Sequence, residues 1–276
     1  MSVTLKGGLR KMRAQLALPI QYELVVGDQG ACLNNYIGQS ISIDYLHEIH
    51  CVQCGRKTNK SFQQGHCFPC MRKINECNNC IIHPERCLVE QGGCSPDNWW
   101  HSQCYGGHVV YLSNTSGLKI GITRESQVPT RWIDQGAMQA IPLFSTQNRY
   151  QAGIVEVAFK SFIADKTNWR TMLKQDSVFV DMIEEKESLL ARARSSVDGV
   201  LDKYADQITL LEDVAVTELS YPVDLYPEKV SSLSLDKTDN VSGVLQGIKG
   251  QYLILDTGVI NIRKFSGYLV SCQLGG

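Results

Sequence analysis

The stretch Val109–Trp132, VVYLSNTSGLKIGITRESQVPTRW, is the most informative part of this sequence. Its first residues predict an apolar strand, NTSG predicts a turn, and LKIGIT predicts a second strand, so the segment is expected to form a β-hairpin. Tyr111 and Lys119 then lie on this hairpin, and Gly121 lets another group approach the backbone closely. Arg131 begins a run that we expect to be helical at first.

The composition is that of a folded protein. The 276 residues are 43% hydrophobic, and a chain of this length can bury two or three small cores. No run approaches the ~18 consecutive apolar residues of a membrane-spanning helix, and the N-terminus lacks the order of a signal peptide. We therefore expect a soluble, cytoplasmic protein with no membrane partner. In that reducing compartment, a dense set of cysteines indicates a metal site rather than a disulfide framework.

The net charge of −1 hides an uneven distribution. Residues 1–75 carry nine Lys or Arg against four Asp or Glu, whereas residues 181–220 carry four against ten. The basic end could contact phosphate, and the acidic segment would repel it. Ordinary solvated surfaces would explain both excesses equally well.

Four cysteines follow the spacing of a zinc site. The sequence CVQCGRKTNKSFQQGHCFPC places Cys51, Cys54, Cys67 and Cys70 in two C-x-x-C turns separated by twelve residues. Each turn directs two sulfurs toward one ion, and four thiolates satisfy a tetrahedral Zn²⁺. Because a closed four-thiolate site leaves no position for a substrate, we expect this zinc to be structural.

Five further cysteines follow, interspersed with three histidines. The cysteines are Cys77, Cys80, Cys87, Cys94 and Cys104, and the histidines are His83, His101 and His108. These five cysteines exceed the four ligands that a single tetrahedral zinc needs, so a second zinc site is expected. The spacing does not fix which residues are its ligands. An iron–sulfur cluster would use the same residues. Residues 51–104 have little periodicity, and metal is expected to stand in for a hydrophobic core there.

Both ends of the chain predict β-structure. Residues 18–50 alternate in the manner of short strands, with Ile41, Ile43 and Tyr45 on one face. The segment GQYLILDTGVINIRKFSGYLVSC near the C-terminus has a similar order of strand, turn and strand. We expect the two ends to pack as one barrel-like β unit.

Two segments predict helices. In residues 176–212, apolar side chains recur at helical spacings, which is typical of one amphipathic helix or of a helical hairpin broken near Gly199. The apolar positions are Val180, Ile183, Leu190, Val197, Leu201, Tyr204 and Ile208. The second helix is predicted within residues 148–169, and Glu156 lies at the border of its apolar face. That face consists of Ala152, Val155, Phe159 and Phe162.

The middle of the chain resembles the core of the GIY-YIG nuclease superfamily. That core has a strand with a Tyr, a short turn, a (Y/K)-I-G strand, an Arg some ten residues later and a Glu on a following helix. The resemblance is strongest to a compact branch with K-I-G, in which the Glu helix ends near a Trp. It covers about residues 105–170. The matching residues are Tyr111, Lys119, Ile120, Gly121, Arg131, Glu156 and Trp169.

This resemblance implies a metal-dependent endonuclease that cleaves phosphodiester bonds. Tyr111 would act near the attacking water, Arg131 would neutralise phosphate charge, and Glu156 would hold one Mg²⁺ or Mn²⁺ ion. Lys119 stands where the family has its second Tyr, so it supplies a cation near phosphate but no phenol. Tyr111 would need a pKa below its usual ~10 to act as a base.

The whole chain also resembles a bacterial protein family with no assigned activity, in which a Cys-rich zinc-binding block precedes such a domain. The expected fold is α+β, with a small GIY-YIG-like sheet and flanking helices behind a zinc module. The expected parts are an N-terminal β segment at 1–50, the zinc module at 51–104, the GIY-YIG-like domain at 105–175, a helical segment at 176–220 and a C-terminal β segment at 221–276.

Three functions are compatible with these residues. The first is a metal-dependent endonuclease whose zinc module and basic N-terminal region hold DNA or RNA. The second is a non-catalytic module that binds DNA, RNA or a ribonucleoprotein through the same surfaces, where Trp99 and Trp100 could stack on bases. The third is a redox or metal sensor that responds through the surplus thiols.

Overall fold

The part of the chain that the structure describes has a mixed α+β fold with three sheets and few helices. The structure is a computed structural model that describes residues 2–76, 80, 83–92, 104–164, 166–174 and 178–275. The helices of these residues are α1 (Phe68–Glu76), α2 (Thr130–Asp134), α3 (Arg149–Phe159), α4 (Trp169–Met172) and α5 (Met182–Lys203). The strands are β1 (Val3–Gly8), β2 (Arg13–Gln15), β3 (Gln21–Val26), β4 (Gln29–Cys32), β5 (Ser40–His50), β6 (Lys57–Thr58), β7 (Tyr105–Asn114), β8 (Leu118–Arg124), β9 (Gln139–Asn148), β10 (Ile208–Leu210), β11 (Thr217–Glu218), β12 (Asn240–Lys249), β13 (Tyr252–Leu255), β14 (Gly258–Asn261) and β15 (Tyr268–Leu274).

The largest sheet, which we call the terminal sheet, joins the two ends of the chain. Its strand order is β1-β15-β5-β12-β13-β14, and β6 pairs with β5. The expectation that both ends pack together is therefore confirmed. The expected barrel-like closure is wrong for the described residues, because β1 and β14 remain opposite edges of an open sheet. The β3–β4 hairpin pairs with β2 in a three-stranded sheet and touches the end of β1 through one bridge between Leu9 and Val26, but it does not pair with β14.

The terminal sheet contains an approximate repeat. In the first half, β1 is followed by the β3–β4 hairpin, a 3-10 turn at Leu33–Tyr36 and β5. In the second half, β12 is followed by the β13–β14 hairpin, a 3-10 turn at Ile262–Phe265 and β15. The first strand of each half pairs with the last strand of the other, and the two last strands pair with each other. The halves are therefore interlocked rather than placed side by side.

One hydrophobic core lies between the terminal sheet and the three-stranded sheet. It includes Leu24 from β3, Ile43 from β5, Leu253 from β13 and Phe265 from the second 3-10 turn. In β5, Ile41 and Ile43 are buried while Ser40 and Ser42 are not, which confirms the predicted alternation. Burial of these apolar faces holds the two ends of the chain together.

The middle segment forms a second sheet, with β10-β9-β7-β8 in order and β11 paired with β9. The predicted hairpin is confirmed as β7 and β8, and Tyr111 lies directly opposite Gly121. The central strand β9 was not predicted. It contains Pro142, which cannot donate a backbone hydrogen bond and lies where the register between β7 and β9 shifts.

The two faces of this middle sheet pack against different partners. Val110, Leu112 and Ile120 face a core shared with α3 and α5. On the other face, Tyr111 joins the core of the terminal sheet and packs edge-on against Trp132 of α2, with ring centroids 5.8 Å apart. Tyr111 therefore lies where the middle and terminal sheets meet.

Helix α3 is fixed at its start by a side-chain cap. Asn148 Oδ1 accepts a hydrogen bond from the backbone N–H of Gln151 at 3.0 Å. Three of the four predicted apolar positions, Ala152, Val155 and Phe159, are buried on this helix, whereas Phe162 lies beyond its end and is half-buried. Glu156 is half-buried at the edge of that face.

Helix α5 is one continuous helix. Asp181 Oδ1 caps it by accepting from the N–H groups of Ile183 and Glu184, each at 3.0 Å. Gly199 lies inside the helix, so the alternative of a hairpin broken there is wrong. The predicted helix also extends too far, because Ile208–Leu210 pair with β9 as β10.

Two glycines give a matched test of packing. A Cβ at Gly121 would lie 2.8 Å from Tyr111 Oη and 2.9 Å from Tyr111 Cζ, and the ring is fully buried. We expect Gly121→Ala to lower the free energy of unfolding by about 1–3 kcal/mol. A Cβ at Gly199 would meet no atom within 4 Å, so Gly199→Ala should raise the free energy of unfolding by about 0.5–1 kcal/mol. Denaturant unfolding measures both, and shifts of the same sign would contradict the close approach at Gly121.

Among the described residues, no helix combines the length and the apolar character needed to cross a membrane.

Candidate functional site

Four cysteine sulfurs meet where β5 ends. Cys51 follows β5 directly, Cys54 lies in the next turn, Cys67 precedes α1 and Cys70 lies in its first turn. All four sulfurs lie within 4.8 Å of one another, and those of Cys54 and Cys67 are 3.8 Å apart. Tetrahedral zinc with bonds of about 2.3 Å separates its sulfurs by about 3.8 Å. The four thiols therefore fit a single metal ion of this coordination.

The electrostatics of this cluster also favour a cation. Burial raises the pKa of the Cys51 thiol, but the backbone amides of Cys67, Cys54 and Gln53 outweigh it and lower the pKa to about 6. Burial and the neighbouring sulfurs raise the pKa of the Cys70 thiol. Four thiolates this close repel one another, and a divalent cation between them removes that repulsion.

Three further cysteines lie near one another. Burial, together with the charges of Cys87 and Cys104, raises the pKa of the Cys80 thiol to about 11. Cys104 is buried, and Cys80 and Cys87 are half-buried. We call these three residues the second thiol set. The other expected residues of this segment lie outside the described ones: Cys77, Cys94, His101, Trp99 and Trp100.

Two of the three histidines expected near the second metal site are described, and they have other environments. His83 Nδ1 lies 3.4 Å from Glu85 Oε1 at the surface. His108 is buried, with Nδ1 2.9 Å from the carbonyl oxygen of Gly106. Burial lowers the pKa of His108 to about 4, so its imidazole is neutral at pH 7. Its Nε2 has no hydrogen-bond partner among the described residues.

The hairpin brings Tyr111 and Lys119 to a shared hydrogen-bond acceptor, the side-chain amide oxygen of Gln135. Tyr111 Oη donates to Gln135 Oε1 at 3.0 Å, and Lys119 Nζ donates to the same oxygen at 2.6 Å. The phenol ring crosses Gly121, where the sequence indicated a close approach. Tyr111 and Lys119 are both buried. Two donors from neighbouring strands thus converge on the residue that follows α2.

Arg131 and Glu156 lie near the Tyr111 hydroxyl. Burial raises the pKa of Tyr111 to about 12, although the Arg131 guanidinium opposes this rise and the Glu156 carboxylate adds to it. Tyr111 therefore stays protonated at neutral pH, where it can donate a hydrogen bond but cannot serve as a base. All four residues expected from the nuclease resemblance thus lie close together, and we call them the Tyr111 cluster.

Two neighbours of the Tyr111 cluster were not expected from the sequence. Gln135 lies four residues after Arg131, a helical spacing that could have indicated it. Arg149, the first residue of α3, has no such signal. Burial lowers the pKa of Arg149, and the negative charges of Cys104, Glu156 and Cys80 oppose this. Arg149 therefore lies between the Tyr111 cluster and the second thiol set.

A cleft of about 1390 Å³ opens beside Lys119 and Gln135. Trp169, the last residue of the nuclease resemblance, lies in its wall and stacks on Tyr252, with centroids 5.6 Å apart and planes 4° from parallel. The walls include residues from 59–64, 166–172, 232–239 and 261–264. The cleft thus lies between the middle sheet, the Cys-rich segment and the terminal sheet.

A family-level comparison covers most of the chain. Residues 38–270 match the profile of a family described as "Protein of unknown function (DUF2797)". The chain belongs to this family. The part that matches the DUF2797 profile contains the four-cysteine cluster, the second thiol set, the Tyr111 cluster and the cleft residues. No curated protein and no solved structure matches the chain.

In this member of the DUF2797 family, the Tyr111 cluster combines two basic side chains, a phenol and a carboxylate. Lys119 and Arg131 are cations, and Tyr111 is a buried donor. Glu156 contributes a carboxylate, and one carboxylate suffices for Mg²⁺ because that ion keeps several waters and takes other ligands from a substrate. The Glu156 carboxylate also acts on the Arg149 guanidinium, whose pKa it raises against the effect of burial.

Proposed function

We propose that this protein is a zinc-stabilised nucleic-acid-binding protein whose Tyr111 cluster hydrolyses phosphodiester bonds. The observation that carries the proposal is the shared contact of Tyr111 and Lys119 with Gln135, beside Arg131 and Glu156, at the edge of the cleft. The order of hairpin, short helix, strand and Glu-bearing helix supports a GIY-YIG-like domain in residues 105–175. DNA and RNA are both candidate substrates.

Each residue of the Tyr111 cluster has a distinct role in this proposal. Lys119 and Arg131 neutralise the charge that develops on the phosphoryl oxygens. Tyr111 donates its single O–H to Gln135 and thereby fixes the amide that also holds Lys119. Gln135 holds both Tyr111 Oη and Lys119 Nζ in position. Glu156 would hold Mg²⁺ or Mn²⁺, which when bound polarises the phosphate and lowers the pKa of a bound water. Because Tyr111 keeps its proton, no base step is assigned to it.

Zinc is the metal that we propose for the cysteines. The four-cysteine cluster would hold one ion, and the second thiol set would supply ligands to a second. Neither ion would take part in hydrolysis, since a closed thiolate site has no open position for water. The zinc ions would instead order the Cys-rich segment that forms one wall of the cleft.

Cleavage assays test the hydrolase. We expect the purified protein to cleave DNA or RNA in the presence of Mg²⁺ or Mn²⁺. Glu156→Gln removes the carboxylate charge without changing the side-chain shape, and Arg131→Ala removes the guanidinium. Each should reduce the cleavage rate by about 10²-fold or more, as removal of a single charge-stabilising group does elsewhere.

Glu184→Gln is the matched control, because Glu184 is exposed in the first turn of α5. It should cleave at the wild-type rate. Cleavage that persists in both Glu156→Gln and Arg131→Ala would indicate a contaminating nuclease and would contradict the proposal.

A non-catalytic binding module is the second candidate function. It is favoured by the full burial of Tyr111 and by the hydrogen bond that already engages Lys119. In that case the protein would bind nucleic acid in a salt-sensitive manner without cleaving it.

A further inference from the structure

The cleft beside Lys119 and Gln135 is larger than the Tyr111 cluster needs. Pockets for drug-sized molecules span about 300–1,000 Å³, whereas this cleft measures about 1390 Å³. Its far walls come from the Cys-rich segment and from the terminal sheet, neither of which contributes to the Tyr111 cluster. The cleft thus has room for a ligand that extends well beyond a single phosphate.

The side chains that line the cleft carry an excess of positive charge. Six are cationic and three are carboxylates. The cations are Lys60, Lys119, Lys166, Lys237, Arg263 and Lys264. Two of the carboxylates pair with lysines, Asp134 with Lys11 and Asp236 with Lys264 at 3.0 Å, and Asp239 lies 3.6 Å from the His47 imidazole. The cleft therefore attracts anions.

Arg263 lines this wall, and its pKa responds to the Arg131 guanidinium of the Tyr111 cluster. Burial lowers the pKa of Arg263, the negative charge of Asp134 raises it, and the positive charge of Arg131 lowers it further. Arg263 forms no ion pair with a carboxylate within the part of the chain that the structure describes. Two guanidinium groups, one from α2 and one from the terminal sheet, are thus held near each other.

Aromatic rings accompany these charges along the cleft. Tyr45 lies half-buried in one wall against the buried Tyr268, with ring centroids 5.1 Å apart, and Trp169 and Tyr252 stack on each other in another wall. A basic groove interleaved with aromatic rings is the combination by which proteins bind single strands, because every base has a face that can stack.

We propose that the cleft binds single-stranded nucleic acid and that Arg263 contacts a phosphate next to the one held by Arg131. A duplex does not suit this site, since its bases are already stacked on one another and cannot stack on the rings of the cleft. This inference depends on the proposed function in one respect, which is that the Tyr111 cluster binds one end of the strand. The C-terminal half of the chain thereby supplies part of the substrate site.

Fluorescence anisotropy with labelled 12-nucleotide DNA and RNA strands, and with the 12-base-pair duplex, tests this inference. The measurements use full-length, zinc-loaded protein with Glu156→Gln as the background, so that cleavage does not interfere. Arg263→Gln should weaken single-strand binding about tenfold or more, because it removes a charge-assisted hydrogen bond. The slope of log K against log salt should fall by about 0.7 for each phosphate that the variant no longer neutralises.

Lys166→Gln and Arg194→Gln complete the experiment. Lys166 is exposed at the cleft, so its replacement carries little risk to folding. Like Arg263→Gln, Lys166→Gln should weaken single-strand binding. Arg194 is exposed on α5, pairs only with Asp198 among the described residues, and should leave binding unchanged. Equal weakening in Arg194→Gln, duplex binding as tight as single-strand binding, or no single-strand binding would each overturn the inference. Wild-type protein that binds single strands without cleaving them would overturn the hydrolase and leave this inference standing.

Discussion

Replacing Cys67 by Ser is expected to remove one zinc ion per chain and to disorder residues 51–76. Cys67 is buried among the other three sulfurs of its cluster, and a serine hydroxyl is a poor zinc ligand. Structural zinc contributes on the order of 10 kcal/mol in small zinc-binding peptides, which is comparable to the total stability of many domains. Metal analysis gives the zinc content, and limited proteolysis with mass spectrometry locates the disordered segment.

Cys32→Ser is the matched control, because Cys32 is exposed on β4 and lies outside both cysteine groups. It should keep two zinc ions per chain and the wild-type proteolysis pattern. Cys104→Ser should lose the other zinc ion while keeping the one held by Cys67. Unchanged zinc content in Cys67→Ser would contradict the four-cysteine site, and a brown, iron-containing protein would contradict zinc.

The second large effect is expected at Phe265. This ring is fully buried in the core of the terminal sheet and packs edge-on against Tyr268, with centroids 5.2 Å apart. Phe265→Ala leaves a cavity and also removes buried apolar surface, so we expect the free energy of unfolding to fall by about 3–5 kcal/mol. Denaturant unfolding with excess zinc present measures this decrease.

Phe179→Ala is the same substitution at an exposed position, where the Phe179 residue is 54% accessible. We expect its effect to stay within about 0.5 kcal/mol, as for most surface changes. Decreases of equal size at the two positions would show that residues 262–265 do not anchor the terminal sheet. Because Arg263 lies in the same 3-10 turn, Phe265→Ala should also weaken the binding of any ligand that Arg263 contacts.

The features that could be predicted from the sequence are those with a local signal. The hairpin of β7 and β8 follows from two apolar runs around a turn, and the four-cysteine cluster follows from its C-x-x-C spacing. Burial of Ile41 and Ile43 follows from alternation along one strand. In each case the residues that make the pattern are also the residues that make the contact, so no knowledge of distant segments was needed.

The features that were missed depend on distant partners. Strand β9 contains Pro142, which argues against a strand until the register shift opposite it is known. Gly199 predicts a break in isolation, but the packing of α5 on the middle sheet keeps the helix continuous. Arg149 and Arg263 reach the site only because the sheets meet there, and neither belongs to a recognisable motif.

The interlocked halves of the terminal sheet determine when the protein can finish folding during synthesis. Val3 of β1 pairs with Leu274 of β15, so β1 waits for a strand that is synthesised about 270 residues later. At about 5–20 residues per second, that wait is on the order of ten to fifty seconds. The β7–β8 hairpin and the four-cysteine cluster use contacts between nearby residues and can form during this time. When β15 emerges, it pairs with β1 and β5 beside parts of the protein that have already folded. Only then is the edge of β5 protected from pairing with other chains.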